Sequence, residues 1–188
     1  MASKIEKLES ANKDLESLLT QSSTQKKEAA EEAKRLRESL IEAAKTVAEV
    51  VPDPANKSTS LRIKEAVLFD FDKSSLSCES KETLSKVIGF LTYQMRTPHT
   101  QIQVIGHTDK IGSDAHDDTL SKDRAIEVKK YFVASGIPED VVTATGMGKR
   151  QPVGTVGPQT SEVIDRENAT KEQQKRNRRV EIVVSTTG

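Results

Sequence analysis

The first 51 residues contain no glycine, no proline and no aromatic residue. They are rich in Ala, Glu, Lys, Leu and Ser, so good helix formers dominate and nothing turns the chain. A heptad runs through them unbroken. Its a and d positions are Ile5, Leu8, Asn12, Leu15, Leu19, Ser22, Lys26, Ala29, Ala33, Leu36, Leu40, Ala43, Val47 and Val50. All but Asn12, Ser22 and Lys26 are apolar, and the flanking positions are mostly charged, which is the pattern of a coiled coil. Asn12 at an a position would fix register and favour a dimer, while residues 22–26 loosen the seam. The plainer alternative is a solitary amphipathic helix folded back on the rest. We expect a helical coiled-coil segment over 1–51 that associates as a homodimer or other oligomer.

Val51-Pro52-Asp53-Pro54 stops that helix, because proline lacks the N–H and restricts the residue before it. Residues 52–60 (PDPANKSTS) read as a linker, and 61–188 as a globular domain. In that domain short apolar strands are expected at 66–71, 101–106, 141–145 and 179–185. Helical stripes run over 80–93, through Leu84, Val87, Ile88 and Leu91, and over 119–134, through Leu120, Ala125, Val128, Phe132 and Val133. Residues 149–176 read as a long polar loop with a helical second half at 161–174. Strands alternating with helices imply an α+β or α/β sandwich with helices packed on a sheet.

The charge excludes some functions. There are 29 Lys+Arg and 29 Asp+Glu, so nothing draws the whole chain to nucleic acid or an anionic membrane. Short basic runs, Lys149-Arg150 and 175–179, read as a solvated face. No apolar run of about 18 residues occurs, so no span is expected here. The opening MASKIEKLES has no apolar targeting core, so any signal or membrane anchor is expected outside this chain. Cys78 is the single cysteine and reads as a half-buried side chain at a helix start. His99, His107 and His116 match no compact zinc spacing, so neither metal nor cofactor is expected. Asp70 and Asp72 imitate a carboxylate pair, but two residues apart on a strand they share a face without implying catalysis. No enzyme chemistry is expected.

Residues 106–136 read GHTDKIGSDAHDDTLSKDRAIEVKKYFVASG. This resembles the OmpA-like C-terminal domain family, whose signature is a strand ending in Gly-x-Thr-Asp, a glycine-containing loop, and Leu-Ser-x-x-Arg-Ala opening a helix. Those positions are Gly106, Thr108, Asp109, Gly112, Leu120, Ser121, Arg124 and Ala125. Gly136-Ile137, Gly146-Met147-Gly148, Pro152, 177–181 (NRRVE) and 67–72 (VLFDFD) extend the likeness over about 61–186. The resemblance implies an OmpA-like βαβαβ(α)β sandwich with helices on a mixed sheet. It also implies non-covalent binding of peptidoglycan through the diaminopimelate of the stem peptide, in the periplasm, at the wall or outer membrane. In the family the Asp of the Thr-Asp pair meets the ligand's ammonium and the Arg of the helix motif meets its carboxylate, here Asp109 and Arg124. Thr108, Asp72, Asp117, Leu120 and Arg178 are the further candidates for the same site. Two departures stand out. His116-Asp117 replaces an aromatic-Asn pair common in the family, and 153–176 is longer than in many members and lacks the cysteine pair some carry there.

The residues support that chemistry by themselves. Diaminopimelate is zwitterionic at its free end, so its binder needs one fixed anion and one fixed cation. Arginine suits the second role, because its planar fork meets a carboxylate with two hydrogen bonds. A strand–loop–helix unit would bring Asp109, at a strand end, and Arg124, in the first turns of a helix, to one rim. The competing reading is a structural salt bridge of these two with each other or with neighbours. The role also stays open between a simple wall tether, the wall-anchoring subunit of a stator-type membrane complex (an ion-driven motor or phage-defence system), and a coiled-coil scaffold for protein partners.

Overall fold

A computed structural model of the chain describes residues 2–70, 72–155 and 158–186, with side chains from Asn12 onward. The first helix, α1, is Ala2–Lys45. The chain divides into two compact units, residues 1–39 and 40–188. In the first, Leu15, Leu18, Leu19 and Leu36 stand exposed on the helix, Leu15 and Leu19 at 55% and 62%.

The second unit is built on a five-stranded sheet. Its strands are β1 (Glu49–Asp53), β2 (Ser58–Lys64), β3 (Thr100–His107), β4 (Val142–Gly146) and β5 (Arg179–Thr186). They lie in the order β1-β2-β5-β3-β4. Only β3 and β4 run parallel; the other pairs are antiparallel, so the sheet is mixed. The helices are α2 (Glu65–Leu68), α3 (Cys78–Gln94), α4 (Asp114–Ala134), α5 (Ser161–Arg166) and α6 (Lys171–Asn177), with one 3-10 turn at Glu139–Val141 before β4.

Alternation divides the sheet into two chemically distinct faces. Leu61, Ile63, Ile102, Val104, Val180, Ile182 and Val184 point one way. They form the core with Leu84, Val87, Phe90 and Leu91 of α3 and Ala125, Val128 and Phe132 of α4. Each such large side chain contributes roughly 1.5–3 kcal/mol on burial. The other face carries Arg62, His107, Arg179 and Glu181, which the strand register sets side by side.

α4 comes down on the sheet where β3 and β4 pair Gly106 with Gly146. A Cβ on Gly106 would lie 2.0 Å from the Ser121 carbonyl oxygen, and one on Gly146 would lie 2.5 Å from the Lys122 nitrogen. Two bare backbones at one contact let the helix sit that close. Ser121 Oγ then accepts from the Gly148 N–H at 3.0 Å, which ties the end of β4 to α4.

Several expectations are corrected. Residues 52–60 are no linker: β1 and β2 form a hairpin there, and Asp53 Oδ1 accepts the Ala55 and Asn56 N–H groups in its turn. Pro52 is tolerated because β1 is the edge strand, where a missing N–H breaks no central ladder. Phe71, the end of the strand expected at 66–71, lies outside the described residues, and residues 66–70 are no strand. They begin as α2 and leave it by one isolated bridge, Phe69 to Leu76, so consecutive Leu68 and Phe69 are both buried rather than alternating. α1 stops at Lys45, so the heptad positions Val47 and Val50 lie outside it, and Ala44, Ala48, Val47 and Val50 pack into the globular core instead. The helical stretch expected at 161–174 is two short helices, α6 starting from a Thr170–Gln173 capping box. Cys78 does begin a helix, but it is exposed.

Candidate functional site

The site grows from the end of β3. Thr108 follows that strand, and its N–H donates to the Gly148 carbonyl at 2.9 Å, anchoring the loop beside β4. Asp109 comes next and is buried. Its Oδ1 accepts the Ile111 N–H at 2.8 Å, which closes a turn and fixes the carboxylate. Gly112 completes the loop at a φ of +120°, a conformation open to glycine, with Asp117 directly behind it. Ser113 then caps α4 by accepting the His116 N–H. α4 therefore starts earlier than the sequence pattern suggests, and His116 and Asp117 lie in its first turn rather than in the loop. Arg124 lies in the third turn of α4, beyond the reach of the helix N-terminal dipole.

Arg124 is buried, and three groups hold it. Its Nη2 lies 2.5 Å from Glu65 Oε1, its Nε donates to the Lys73 carbonyl at 2.9 Å, and its guanidinium stands 5.3 Å from the centre of the Phe69 ring. Burial pulls the guanidinium's pKa down, and the Glu65 charge beside it pushes back. Arg178, just past α6, pairs with Asp109 Oδ2 through Nη1 and lies 3.2 Å from Glu65 Oε2 through Nε. Asp109 and Arg124 thus do not pair with each other. Each has its own counter-ion, and Glu65 links the two guanidiniums.

These groups face one cleft of about 260 Å³. All seven residues singled out from the sequence line it: Asp72, Thr108, Asp109, Asp117, Leu120, Arg124 and Arg178. Glu65, Ile111 and His116 complete the wall. Four carboxylates and two guanidiniums therefore line a small volume together with the apolar side chains of Leu120 and Ile111. Among the described residues, Thr108 Oγ1 and Asp117 Oδ2 are buried without a hydrogen-bond partner. Arg124 Nη2 meets Glu65 as a close charge contact outside hydrogen-bond geometry. Buried polar groups are normally satisfied, so unused capacity inside a cleft points to a polar ligand. Burial raises the pKa of Asp117, opposed by Lys149, whose Nζ lies 3.5 Å from Oδ2.

Two of the unforeseen lining residues have a clear structural role. Glu65 opens α2, and its own N–H donates to the Arg178 carbonyl at 3.0 Å, so backbone and side chain both join the two segments. Reading 66–71 as a strand hid it. His116 Nε2 lies 2.9 Å from Asp72 Oδ1, and Asp72 adopts a φ of +58° to reach it. The local signal was the lone acid between buried Ile63 and Leu68, which a two-sided reading of that stretch would have flagged. Among the described residues no cluster of His, Cys, Asp or Glu has the geometry to hold a metal ion, and no helix is long and apolar enough to cross a membrane.

Comparison with known proteins places the chain in a family. Residues 68–178 match the model of the OmpA family. Outer membrane protein A of Citrobacter freundii is 37% identical over 112 residues, 60% of this chain and 47% of that protein. The chain spans less than half the length of such curated relatives. A putative MotB-like protein from Desulfovibrio vulgaris has the same fold with a TM-score of 0.64 and 25% identity, over 85% of this chain and 96% of that one. The cell wall anchor of the T6SS from Pseudomonas aeruginosa superposes with a TM-score of 0.60 and 25% identity, over 81% and 96%.

Proposed function

The chain belongs to the OmpA family, and we propose that it binds peptidoglycan non-covalently through the diaminopimelate of the stem peptide, tethering an envelope protein to the cell wall. It is a binding module and not an enzyme. Its place is the periplasm, at the wall or the outer membrane, a reading supported by its likeness to outer membrane protein A and to a cell wall anchor.

The observation that carries this reading is the separate pairing of Asp109 and Arg124 on one cleft. A zwitterion entering it finds a fixed carboxylate for its ammonium and two fixed guanidiniums for its carboxylate. In the free protein Arg178 and Glu65 occupy those charges, so the side chains are already held in place and little rotamer entropy is lost on binding. The ligand's ammonium joins Asp109, and its carboxylate joins Arg124 and Arg178. Thr108 Oγ1 and the Asp117 carboxylate supply hydrogen bonds, and Leu120 with Ile111 packs on the methylene chain.

Calorimetry with stem peptides tests the assignment. A lysine-containing peptide keeps the ammonium and lacks the carboxylate. The diaminopimelate peptide is expected to bind about tenfold or more tightly, the value of a charge-assisted hydrogen-bonded pair. Equal affinities for the two peptides would remove Arg124 from the site.

A second reading has a specific observation behind it. The likeness to a MotB-like protein extends over 85% of this chain. The same cleft would then hold the wall for an ion-driven membrane complex, with the anchor supplied by another segment or subunit.

A further inference from the structure

The sheet face turned away from the core holds a second cleft, of about 530 Å³, which shares no lining residue with the first. Lys45, Arg62, Lys64, Arg176 and Arg179 line it, with Glu49 as the single acid. The strand register makes this arrangement costly. Lys64 of β2 stands directly opposite Arg179 of β5, and like charges directly opposite on adjacent strands repel. His107 of β3 flanks Arg179 on its other side.

The acids present do not balance those charges. Glu181 is shared, at 3.1 Å from Arg62 and 3.3 Å from Arg179. Lys45 is held by Glu42 at 2.7 Å. Lys64 and Arg176 have no acidic group within ion-pair distance among the described residues. Arg179 is only 4% exposed, and its Nε is buried with no hydrogen-bond partner. The local field is visible on His107. Burial first, then the Arg179 and Arg62 charges, hold its pKa down to about 2.

We propose that this cleft is a second binding site, for an organic anion bearing a phosphomonoester or pyrophosphate group. A multiply charged oxyanion offsets the Lys64–Arg179 repulsion, and several converging cations call for more than a single carboxylate. Arginine forks and lysine ammonium groups are the side chains that take phosphate oxygens. Val47, Ala48, Val67 and Val153, which complete the wall, give the ligand's carbon skeleton an apolar surface.

The test uses the full chain, labelled for amide NMR, and titrates it with inorganic pyrophosphate. Saturable shifts are expected at Lys64, Val153, Arg176 and Arg179 and not at Asp109 or Leu120. Lys64→Glu and Arg176→Glu alter exposed side chains and so keep the fold, and each is expected to weaken binding about tenfold or more. Flotation with phosphatidylcholine vesicles, with and without phosphatidic acid, separates two sources of the same group. Retention on the phosphatidic acid vesicles assigns the site to a lipid headgroup, and pyrophosphate binding without retention assigns it to a soluble phosphate ester. Absence of both saturable shifts and vesicle retention overturns the proposal, as does binding that both charge reversals leave unchanged.

Discussion

Glu65 Oε1 and Arg124 Nη2 meet at 2.5 Å with both side chains buried, so the cation of the cleft depends on an acid 59 positions earlier in the chain. Removing one member of a buried pair leaves the other charge uncompensated. Glu65→Ala is therefore expected to destabilise the domain by about 3–5 kcal/mol, read as a lower urea midpoint at unchanged slope. Glu65→Gln keeps the shape and should cost less. A loss for Glu65→Ala no larger than a surface substitution gives would show that Glu65 does not support Arg124.

Gly106 is expected to tolerate no side chain. Its Cβ would strike the Ser121 backbone, not the far end of a flexible side chain. Gly106→Ala should cost about 2–3 kcal/mol or more by pushing α4 off the sheet. Gly136→Ala is the control: its φ is +97° with open space around it, so it should cost only about 1 kcal/mol of backbone strain. Denaturant titrations of both variants check the contrast, and equal losses would contradict the packing described.

Acid should unfold the domain through His107. Its folded pKa, about 2, lies below the ordinary value of 6.5. The unfolded chain therefore binds a proton below about pH 6.5 that the folded protein refuses. Stability from this group is complete above pH 6.5 and falls as the pH drops toward 2, with a slope of about 1.4 kcal/mol per pH unit. His107→Leu removes that titration and also removes two ring nitrogens that lack hydrogen-bond partners among the described residues. Its stability should change less between pH 7 and pH 4.5 than that of the parent, by about 2–3 kcal/mol. Parallel pH curves for the two proteins would rule out this origin.

The coiled-coil reading of α1 expects self-association. Leu15 and Leu19 are a and d residues left exposed on the helix, and such a stripe is normally buried against a second helix. Leu15→Asp with Leu19→Asp should convert a sedimenting oligomer to a monomer while leaving the 40–188 unit folded. A parent chain that stays monomeric at high concentration would favour the solitary helix.

The sequence was most legible where a motif carries a backbone requirement. Gly106, Gly112 and Gly146 mark a tight helix approach and a left-handed loop, and the placement of Asp109 and Arg124 on one cleft followed from the strand–loop–helix pattern between them. It was least legible around residues 49–76. Pro52 and Pro54 suggested a linker because proline breaks central strands, yet β1 is an edge strand. The apolar run Val67-Leu68-Phe69 looked extended, yet Leu68 and Phe69 both face the core around a single helical turn. Glu65 escaped notice for the same reason. A buried acid is explained by its partners, Arg124 and Arg178, and those lie on distant segments. The heptad over-reached at Val47 and Val50 because the same apolar side chains also complete the core of the globular unit.

The central claim is a wall anchor that depends on Asp109 and Arg124, and a pull-down on purified Gram-negative sacculi tests it most directly. The intact chain should be retained, and Asp109→Ala and Arg124→Ala should each be lost from the pellet while circular dichroism shows them folded. No retention of the intact chain, or equal retention of all three proteins, would contradict the assignment.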